Sequence, residues 1–253
     1  MPFAKYPSLA DRVVVITGGG SGIGAGLVEA FAANDAKVAL LDIQKDASEK
    51  LADSLSGARH RPFFVETDLM DIAALRAAIA KVRARFGPVS VLVNNAGNDE
   101  RHEVDDVTPE YWDRTQDVNL RHQFFAAQAV HDDMRGLGGG SIVNFSSISW
   151  IRGGANVVGY ATAKAAIVGM TNALARAFGP DNIRVNAILP GAVMTERQLR
   201  LWYTEESAKE IADRQIIRKR LLPEHIARAV LFLAADDSSM ITKQSLIVDG
   251  GLA

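Results

Sequence analysis

The chain has 253 residues, 48% of them hydrophobic, so it is long enough for one large domain with a full apolar core. Lys and Arg total 28 against 30 Asp and Glu, and a net charge of −2 argues against a nucleic-acid-binding surface. The absence of cysteine excludes disulfides and thiolate metal sites, and it is compatible with the reducing cytoplasm, where we expect the protein. With no signal-peptide pattern and no apolar run near the roughly 18 residues that span a bilayer, we expect no membrane association.

Short β-branched runs alternate with helical patterns along the chain. The first half predicts strands and helices in alternation: strand 12–17, helix 23–33, strand 37–42, helix 47–55, strand 62–66, helix 71–86 and strand 89–94. The second half predicts helix 109–134, strand 141–145, helix 159–178, strand 183–189, helix 223–235 and strand 244–248, with short helices in a mobile substrate-binding segment at about 195–222. This order indicates one α/β domain over residues 1–253. Its expected fold is a Rossmann-like, doubly wound parallel sheet of seven strands with helices on both faces.

A glycine-rich turn follows the first strand. Residues 17–24 read TGGGSGIG and lead directly into a predicted helix. Glycines let the backbone approach a pyrophosphate, and the helix offers unpaired N–H groups and its positive dipole end. A strand-to-helix junction in the first βαβ unit is the setting in which such a motif indicates dinucleotide binding.

Asp42 ends the second predicted strand and indicates which dinucleotide binds. It lies near the offset of about twenty residues expected for a carboxylate on the adenosine ribose. Its oxygens can accept bonds from both ribose hydroxyls and would repel a 2′-phosphate. Ile43 and Gln44 follow it, and the glycine-rich turn contains no basic residue. The sequence therefore favours NAD over NADP.

Tyr160 and Lys164 are four residues apart and share one face of a predicted helix. A free phenol has a pKa of about 10, and the charges of Lys164 and of an oxidised nicotinamide would both favour the phenolate. Ser147, at the carboxyl end of a predicted central strand, can bond the substrate oxygen and orient it against Tyr160. Its neighbour Ser146 faces the other way by strand alternation, and Ser149 is a third candidate.

These motifs together resemble the short-chain dehydrogenase/reductase family, in its NAD-preferring branch. The pieces that carry the resemblance are residues 17–24, Asp42, Asp68, Leu69, residues 94–97 (NNAG), Asn119, Ser147, Tyr160, Lys164, Pro190, Gly191 and Thr195. The resemblance implies a catalytic set of Asn119, Ser147, Tyr160 and Lys164, with Asn119 holding a water of a proton relay. It also implies a homotetramer.

The same resemblance implies how the cofactor is held. Asp68 and Leu69 would flank the adenine, Val193 and Thr195 would contact the carboxamide, and Lys164 would hold the nicotinamide ribose. The full expected set is Gly18, Ser21, Gly22, Ile23, Gly24, Asp42, Asp68, Leu69, Asn95, Ala96, Gly97, Tyr160, Lys164, Pro190, Val193 and Thr195.

Within that family, local segments resemble bacterial aldose 1-dehydrogenases of the D-xylose type. The segments are YPSL (6–9), NNAGNDERH (94–102), VNLRH (118–122), SISW (147–150) and WYT (202–204). Hydrogen-bonding side chains together with flat aromatic rings suit a polyhydroxylated ring. The candidate substrate residues are Asn98, Asp99, Arg101, His102, Ser147, Trp150, Asn156 and Trp202, beside Tyr203.

The expected reaction is therefore oxidation of an aldose at C1 to its aldonolactone, and three alternatives stay open. A sugar acid or deoxy-keto sugar acid would need a cation, which Arg101, Arg121, Arg152 or Arg197 could supply. A polyol is the second alternative, and a non-catalytic NAD-binding sensor is the third. The five histidines show no paired spacing typical of zinc ligands, so we expect no metal.

Overall fold

The computed structural model describes residues 2–202 and 204–253 and contains a parallel sheet of seven strands. The strands are β1 (Val13–Thr17), β2 (Lys37–Asp42), β3 (Phe63–Glu66), β4 (Val91–Asn94), β5 (Gly140–Phe145), β6 (Ile183–Pro190) and β7 (Ser245–Val248). Their order across the sheet is β3-β2-β1-β4-β5-β6-β7, with every neighbouring pair parallel. The predicted single-domain, doubly wound α/β fold is confirmed.

Helices connect successive strands, as expected for parallel crossovers. They are α1 (Gly22–Ala32), α2 (Lys45–Ser54), α3 (Ile72–Phe86), α4 (Pro109–Gln116), α5 (His122–Gly136), α6 (Ser149–Arg152), α7 (Val158–Phe178), α8 (Glu196–Leu201), α9 (Glu205–Arg214) and α10 (Pro223–Ala234). The predicted helix over 109–134 is divided: a π-helical turn, Asp117–Arg121, joins α4 to α5. The predicted segment 195–222 contains α8 and α9. None of the described helices is long and apolar enough to cross a membrane.

Helices cover both faces of the sheet because alternate strand residues point to opposite sides. On one face Val14 and Ile16 of β1 pack with α1 and α10 in an apolar cluster. On the other, Val13 and Val15 pack with α3, α5 and the C-terminal part of α7. A strand buried on both faces reads as a continuous apolar run, which is the pattern by which the sequence predicts β1.

The strand order reverses between β1 and β4, and the chain leaves these neighbours in opposite directions across the sheet. At their carboxyl ends Thr17 pairs in register with Asn94. A crevice opens at such a switch point in doubly wound sheets, and ligands bind there. The glycine-rich turn after β1 and the NNAG turn after β4 thus lie side by side at this crevice.

Candidate active site

The glycine-rich turn packs tightly against the turn that follows β4. Gly18 has a φ of +65°, and a Cβ on it would lie 2.8 Å from the Cα of Ala96. A Cβ on Gly24 would lie only 1.8 Å from the carbonyl oxygen of Gly18. Ser21, the N-cap of α1, makes no side-chain cap hydrogen bond, so it leaves the first-turn N–H groups to an anion. The turn therefore fits a pyrophosphate.

Side chains from both strands lock the two turns together. Asn95 donates from Nδ2 to the carbonyl oxygens of Thr17 at 3.0 Å and of Gly18 at 2.8 Å. In return, Thr17 Oγ1 accepts from the backbone N–H groups of Asn95 at 3.1 Å and Ala96 at 3.2 Å. Asn95 thus acts on the shape of the glycine-rich turn, and both turns form one preorganised wall of the crevice.

Asp42 ends β2 beside the glycine-rich turn and is buried. Its Oδ2 accepts from the backbone N–H of Gly20 at 2.8 Å, and its Oδ1 accepts from that of Gln44 at 2.9 Å. An ionised carboxylate offers about four acceptor positions, so each oxygen keeps capacity for a hydroxyl donor. The geometry fits a ribose diol next to the turn.

The other residues expected at a cofactor occupy the same edge of the sheet. Thr195 caps α8 by accepting from Gln198 N at 3.2 Å, and its Cγ2 would lie 3.2 Å from a Cβ on Gly22 across the crevice. Val193 is buried and pairs with Leu221 in an isolated β-bridge. Asp68 accepts from Met70 N at 2.9 Å, and the neighbouring Leu69 packs on the α3 face of the sheet.

The predicted catalytic side chains of α7 meet those that follow β5. Lys164 is buried, donates to the carbonyl oxygen of Phe145 at 2.8 Å, and has its Nζ 5.4 Å from the centroid of the Tyr160 ring. A hydrogen bond from the Ser147 side chain to Tyr160 favours the ionised phenol. Ser146 instead donates to the carbonyl oxygen of Lys164 at 2.6 Å. Of the two adjacent serines, Ser147 is therefore the one beside the phenol.

Asn119 lies in the π-helical turn, a type of distortion that is frequent at functional sites. Its Nδ2 donates to the carbonyl oxygens of Asn98 at 3.1 Å and Thr115 at 3.0 Å, and its Oδ1 accepts from Asn98 N at 2.8 Å. A Cβ on Gly97 would lie 3.0 Å from Asn119 Oδ1 and 3.1 Å from Lys164 Nζ. Asn119 and Lys164 thus approach each other at Gly97.

Burial controls the ionisation of this group. It lowers the pKa of Lys164 to about 7, against a smaller opposing effect of Asp99. It also raises the pKa of Tyr160, and Asp99 adds to that rise, while Ser147 and Arg197 oppose it. The sequence predicts a phenol whose pKa is lowered by Lys164. In the protein alone the direction is opposite, because desolvation of the phenolate is the larger effect.

A buried histidine also borders this site. His122 begins α5, is fully buried, and has its pKa lowered to about 3 by desolvation and by the charge of Lys164. It is therefore neutral over the working pH range. Residue spacing offered no sign of its position, since the chain contains several scattered histidines.

The structure brings most of the predicted substrate residues to the mouth of the crevice. Arg101 stacks on the ring of Trp202 with its guanidinium carbon 4.4 Å from the centroid, and Asp99 pairs with Arg197 at 2.9 Å. His102 Nδ1 lies 3.0 Å from the hydroxyl of Tyr111. The carbonyl oxygen of Asn156 accepts from His102 N at 3.0 Å, whereas Trp150 lies on α6, where it is 38% exposed. Tyr203 lies outside the described residues.

Two residues that bond the loop after β4 were not predicted in that role from the sequence. Arg197 was named only as a possible cation for a substrate carboxylate, and Gln198 was not named at all. Both lie in the first turns of α8 and bond the loop after β4, with Gln198 Nε2 2.6 Å from Asp99 Oδ2. The available signal was the polar run that directly follows Thr195.

The fold and this set of side chains define a dinucleotide-dependent oxidoreductase, and comparison with known proteins specifies the family. Residues 18–253 match the family model described as enoyl-(acyl carrier protein) reductase. The probable galactose dehydrogenase GalD of Rhizobium meliloti (strain 1021) is 49% identical over 253 residues, which cover 100% of this chain and 99% of that protein. The D-xylose 1-dehydrogenase of Caulobacter vibrioides (strain NA1000 / CB15N) is 49% identical over 251 residues, covering 99% of each.

A solved structure agrees with this placement. The 7α-hydroxysteroid dehydrogenase complexed with NADH and 7-oxo glycochenodeoxycholic acid is 31% identical, with a TM-score of 0.92, over 97% of this chain and 96% of that one. The chain therefore belongs to the short-chain dehydrogenase/reductase family. It is an oxidoreductase that acts on a CH–OH group, and members of this family bind NAD or NADP.

Proposed function

We propose that this enzyme oxidises an aldose at C1 to its aldonolactone with NAD. The single observation that carries the chemistry is the convergence of Ser147, Tyr160 and Lys164 at the carboxyl edge of the sheet. Two relatives of equal identity, named for galactose and for D-xylose, support a sugar as the substrate. The second also supports C1, because it is named as a 1-dehydrogenase.

Tyr160 acts as the general base and accepts the proton of the anomeric hydroxyl. Ser147 donates to the same substrate oxygen and orients it. Lys164 and Asn119 carry the proton outward, which the near-neutral pKa of Lys164 allows. Bound NAD supplies the hydride acceptor and a positive ring that favours the phenolate. The sugar thus loses a proton from oxygen and a hydride from C1, and it becomes the lactone. Such base assistance contributes about 10²–10⁴-fold.

The Tyr160→Phe variant tests this assignment. It removes the hydroxyl and keeps the ring, so we expect NAD binding near the wild-type level and a loss of turnover of at least about a hundredfold. Binding is measured by NADH fluorescence and turnover by NADH absorbance. Turnover near the wild-type rate would exclude Tyr160 as the base. Tight NAD binding by the wild-type chain without turnover of any alcohol would support the sensor alternative instead.

NAD is the proposed form of the cofactor because Asp42 is the carboxylate next to the glycine-rich turn. The expected contacts along the dinucleotide are those of Gly18, Ser21, Gly22, Ile23, Gly24, Asp42, Asp68, Leu69, Asn95, Ala96, Gly97, Tyr160, Lys164, Pro190, Val193 and Thr195. For Asp42→Ala we expect kcat/KM to fall by at least about tenfold with NAD and to rise with NADP, because charge repulsion is removed. The same change in kcat/KM with both cofactors would contradict this role. Thermal unfolding reports whether losing the hydrogen bond from Gly20 N–H to Asp42 disturbs the glycine-rich turn.

A neutral sugar suits the mouth of the crevice better than a sugar acid. Three of the four arginines that could bind a substrate carboxylate already have other contacts: Arg197 pairs with Asp99, Arg121 pairs with Asp117, and Arg101 stacks on Trp202. The fourth, Arg152, is exposed at the end of α6. An arginine that is already in an ion pair must break that pair before it can bind a substrate carboxylate. A screen of pentoses, hexoses, polyols and sugar acids by NADH absorbance tests the choice. Faster turnover of a sugar acid or polyol than of any aldose would overturn it.

We propose a cytoplasmic homotetramer as the working form. Apolar side chains stay exposed on edge strand β7 at Leu246 (38%) and Ile247 (44%), and on α5 at Phe124 (40%). Exposed apolar residues on an edge strand favour burial against another copy. Light scattering coupled to size-exclusion chromatography measures the assembly, and a monomeric mass at micromolar concentration would refute it.

A further inference from the structure

One cluster joins helix α8 to the loop that follows β4. Arg197 spans two neighbouring side chains, with Nη1 2.9 Å from Asp99 Oδ1 and Nη2 2.8 Å from Asn98 Oδ1. Gln198 Nε2 lies 2.6 Å from the second oxygen of Asp99. Both carboxylate oxygens therefore accept from α8. The side chain of Asp99 is 24% exposed and that of Arg197 is 40% exposed, so solvent screens this pair only in part.

The loop side of this cluster is continuous with the predicted relay. The backbone of Asn98 is held by Asn119 through both its N–H, at 2.8 Å, and its carbonyl oxygen, at 3.1 Å. Asn119 in turn approaches Lys164 at Gly97. Asn98 thus links α8, through Arg197, to the residues that would move the proton.

The charges of the cluster also act on the phenol. Asp99 raises the pKa of Tyr160, and Arg197 lowers it. The charged groups that face Tyr160 are Lys164 on the same helix, Asp99 on the loop after β4, and Arg197 on α8. His122 of α5 faces Lys164 and is uncharged above its pKa of about 3. While the pair is intact, the guanidinium opposes the larger effect of the carboxylate on the pKa of Tyr160.

We propose that Arg197 is a positioning residue: its ion pair with Asp99 docks α8 against the catalytic loop and neutralises a carboxylate that faces the reacting phenol. This inference rests on the proposed function, since the charge matters only if Tyr160 is the base. When α8 leaves the loop to admit sugar or release lactone, the unpaired carboxylate opposes phenolate formation. When α8 returns, the base becomes competent again. Proton removal is therefore coupled to closure over the substrate.

The pH dependence of kcat/KM for the best sugar tests the charge effect. At saturating NAD, whose positive ring favours the phenolate, we expect Arg197→Met to lose about tenfold at about pH 7. The loss diminishes toward about pH 10 as the phenol of the NAD complex ionises in both proteins. Adding Asp99→Asn to Arg197→Met also removes the negative charge. We expect the pH profile of this double variant to return to the wild-type shape, even if its KM differs from that of the wild type. Arg200→Met, at an exposed position of the same helix, is the matched control and leaves the profile unchanged. A loss that is equal at all pH values, or that persists in the double variant, overturns the charge effect.

Hydrogen exchange tests the docking without turnover. The amides of Gln198, Leu199 and Trp202 donate within the α8 turn, and we expect them to exchange faster in Arg197→Met than in the wild type or in Arg200→Met. Unchanged exchange overturns the docking. Thermal unfolding of each variant verifies that it is folded. If the wild-type chain oxidises no sugar, the proposed function is refuted. If the wild type oxidises sugar but Arg197→Met has an unaltered pH profile and unaltered hydrogen exchange, this inference alone is refuted.

Discussion

Lys164 is needed for the proposed chemistry, and the same residue should destabilise the fold. Its side chain is 2% exposed, and burial lowers its pKa from an ordinary value of 10.5 to about 7. Between these two values the unfolded chain binds more protons than the folded one. The penalty on folding is therefore complete below about pH 7 and disappears as the pH rises toward 10.5. At about pH 7 it amounts to about 4 kcal/mol.

Replacing Lys164 by Met removes this penalty and keeps an unbranched apolar stem of similar length. The variant also loses the hydrogen bond to the carbonyl oxygen of Phe145, which leaves that acceptor buried. Subtracting about 2 kcal/mol for that loss leaves a net gain of about 2 kcal/mol at about pH 7. For a chain of this length the gain corresponds to a rise in Tm of about 4–8 °C. Turnover is lost at the same time, which is the usual trade-off at a site built for function.

Urea unfolding of the wild type and Lys164→Met at a series of pH values measures this difference. Lys81→Met, at an exposed position of α3, is the control and should change stability by no more than about 0.5 kcal/mol at any pH. We expect the advantage of Lys164→Met to shrink steadily between about pH 7 and pH 10. A variant that is less stable than the wild type at about pH 7, or a difference that does not vary with pH, would refute the reasoning.

Two further predictions concern glycines. Gly24→Ala places a Cβ 1.8 Å from the carbonyl oxygen of Gly18 and should lower the free energy of unfolding by at least about 3 kcal/mol. The control Gly169→Ala in α7 places its Cβ in open space and should raise the free energy of unfolding by about 1 kcal/mol. Urea titrations compare the pair, and equal effects would contradict the packing argument. Gly97→Ala places a Cβ 3.0 Å from Asn119 Oδ1 and should reduce kcat at least about tenfold with a small change in the urea midpoint. Full activity of this variant would show that the approach of Asn119 to the site has no role.

The local pattern of the chain was sufficient for the fold. Strand β2 occupies 37–42, the range that its short apolar run predicts, and the other strands begin and end within two residues of prediction. The division of the predicted helix 109–134 by a π-helical turn was not foreseen. Hydrophobic periodicity reports which side of a helix is apolar, and one extra residue in a single turn changes that pattern too little to be recognised.

The site residues could be predicted because parallel strands end at one edge, so motifs that follow β1, β4 and β5 must lie near one another. The order of glycines, the strand-end carboxylate and the Tyr160–Lys164 spacing are properties of short segments, and a sequence displays them directly. Ser147 could be favoured over Ser146 for the same local reason, the alternation of side chains along a strand.

Only the tertiary structure decided the contacts and the electrostatic interactions between segments that are distant in the chain. Asp99 and Arg197 are 98 positions apart in the chain, and no local pattern announces their ion pair. Whether the pKa of Tyr160 rises or falls likewise depends on how completely the surrounding elements exclude water, and not on the spacing of Tyr160 and Lys164 along a helix. Short-range backbone preferences and periodicity fix elements from neighbouring residues alone, whereas desolvation and electrostatic pairing arise only after those elements have packed.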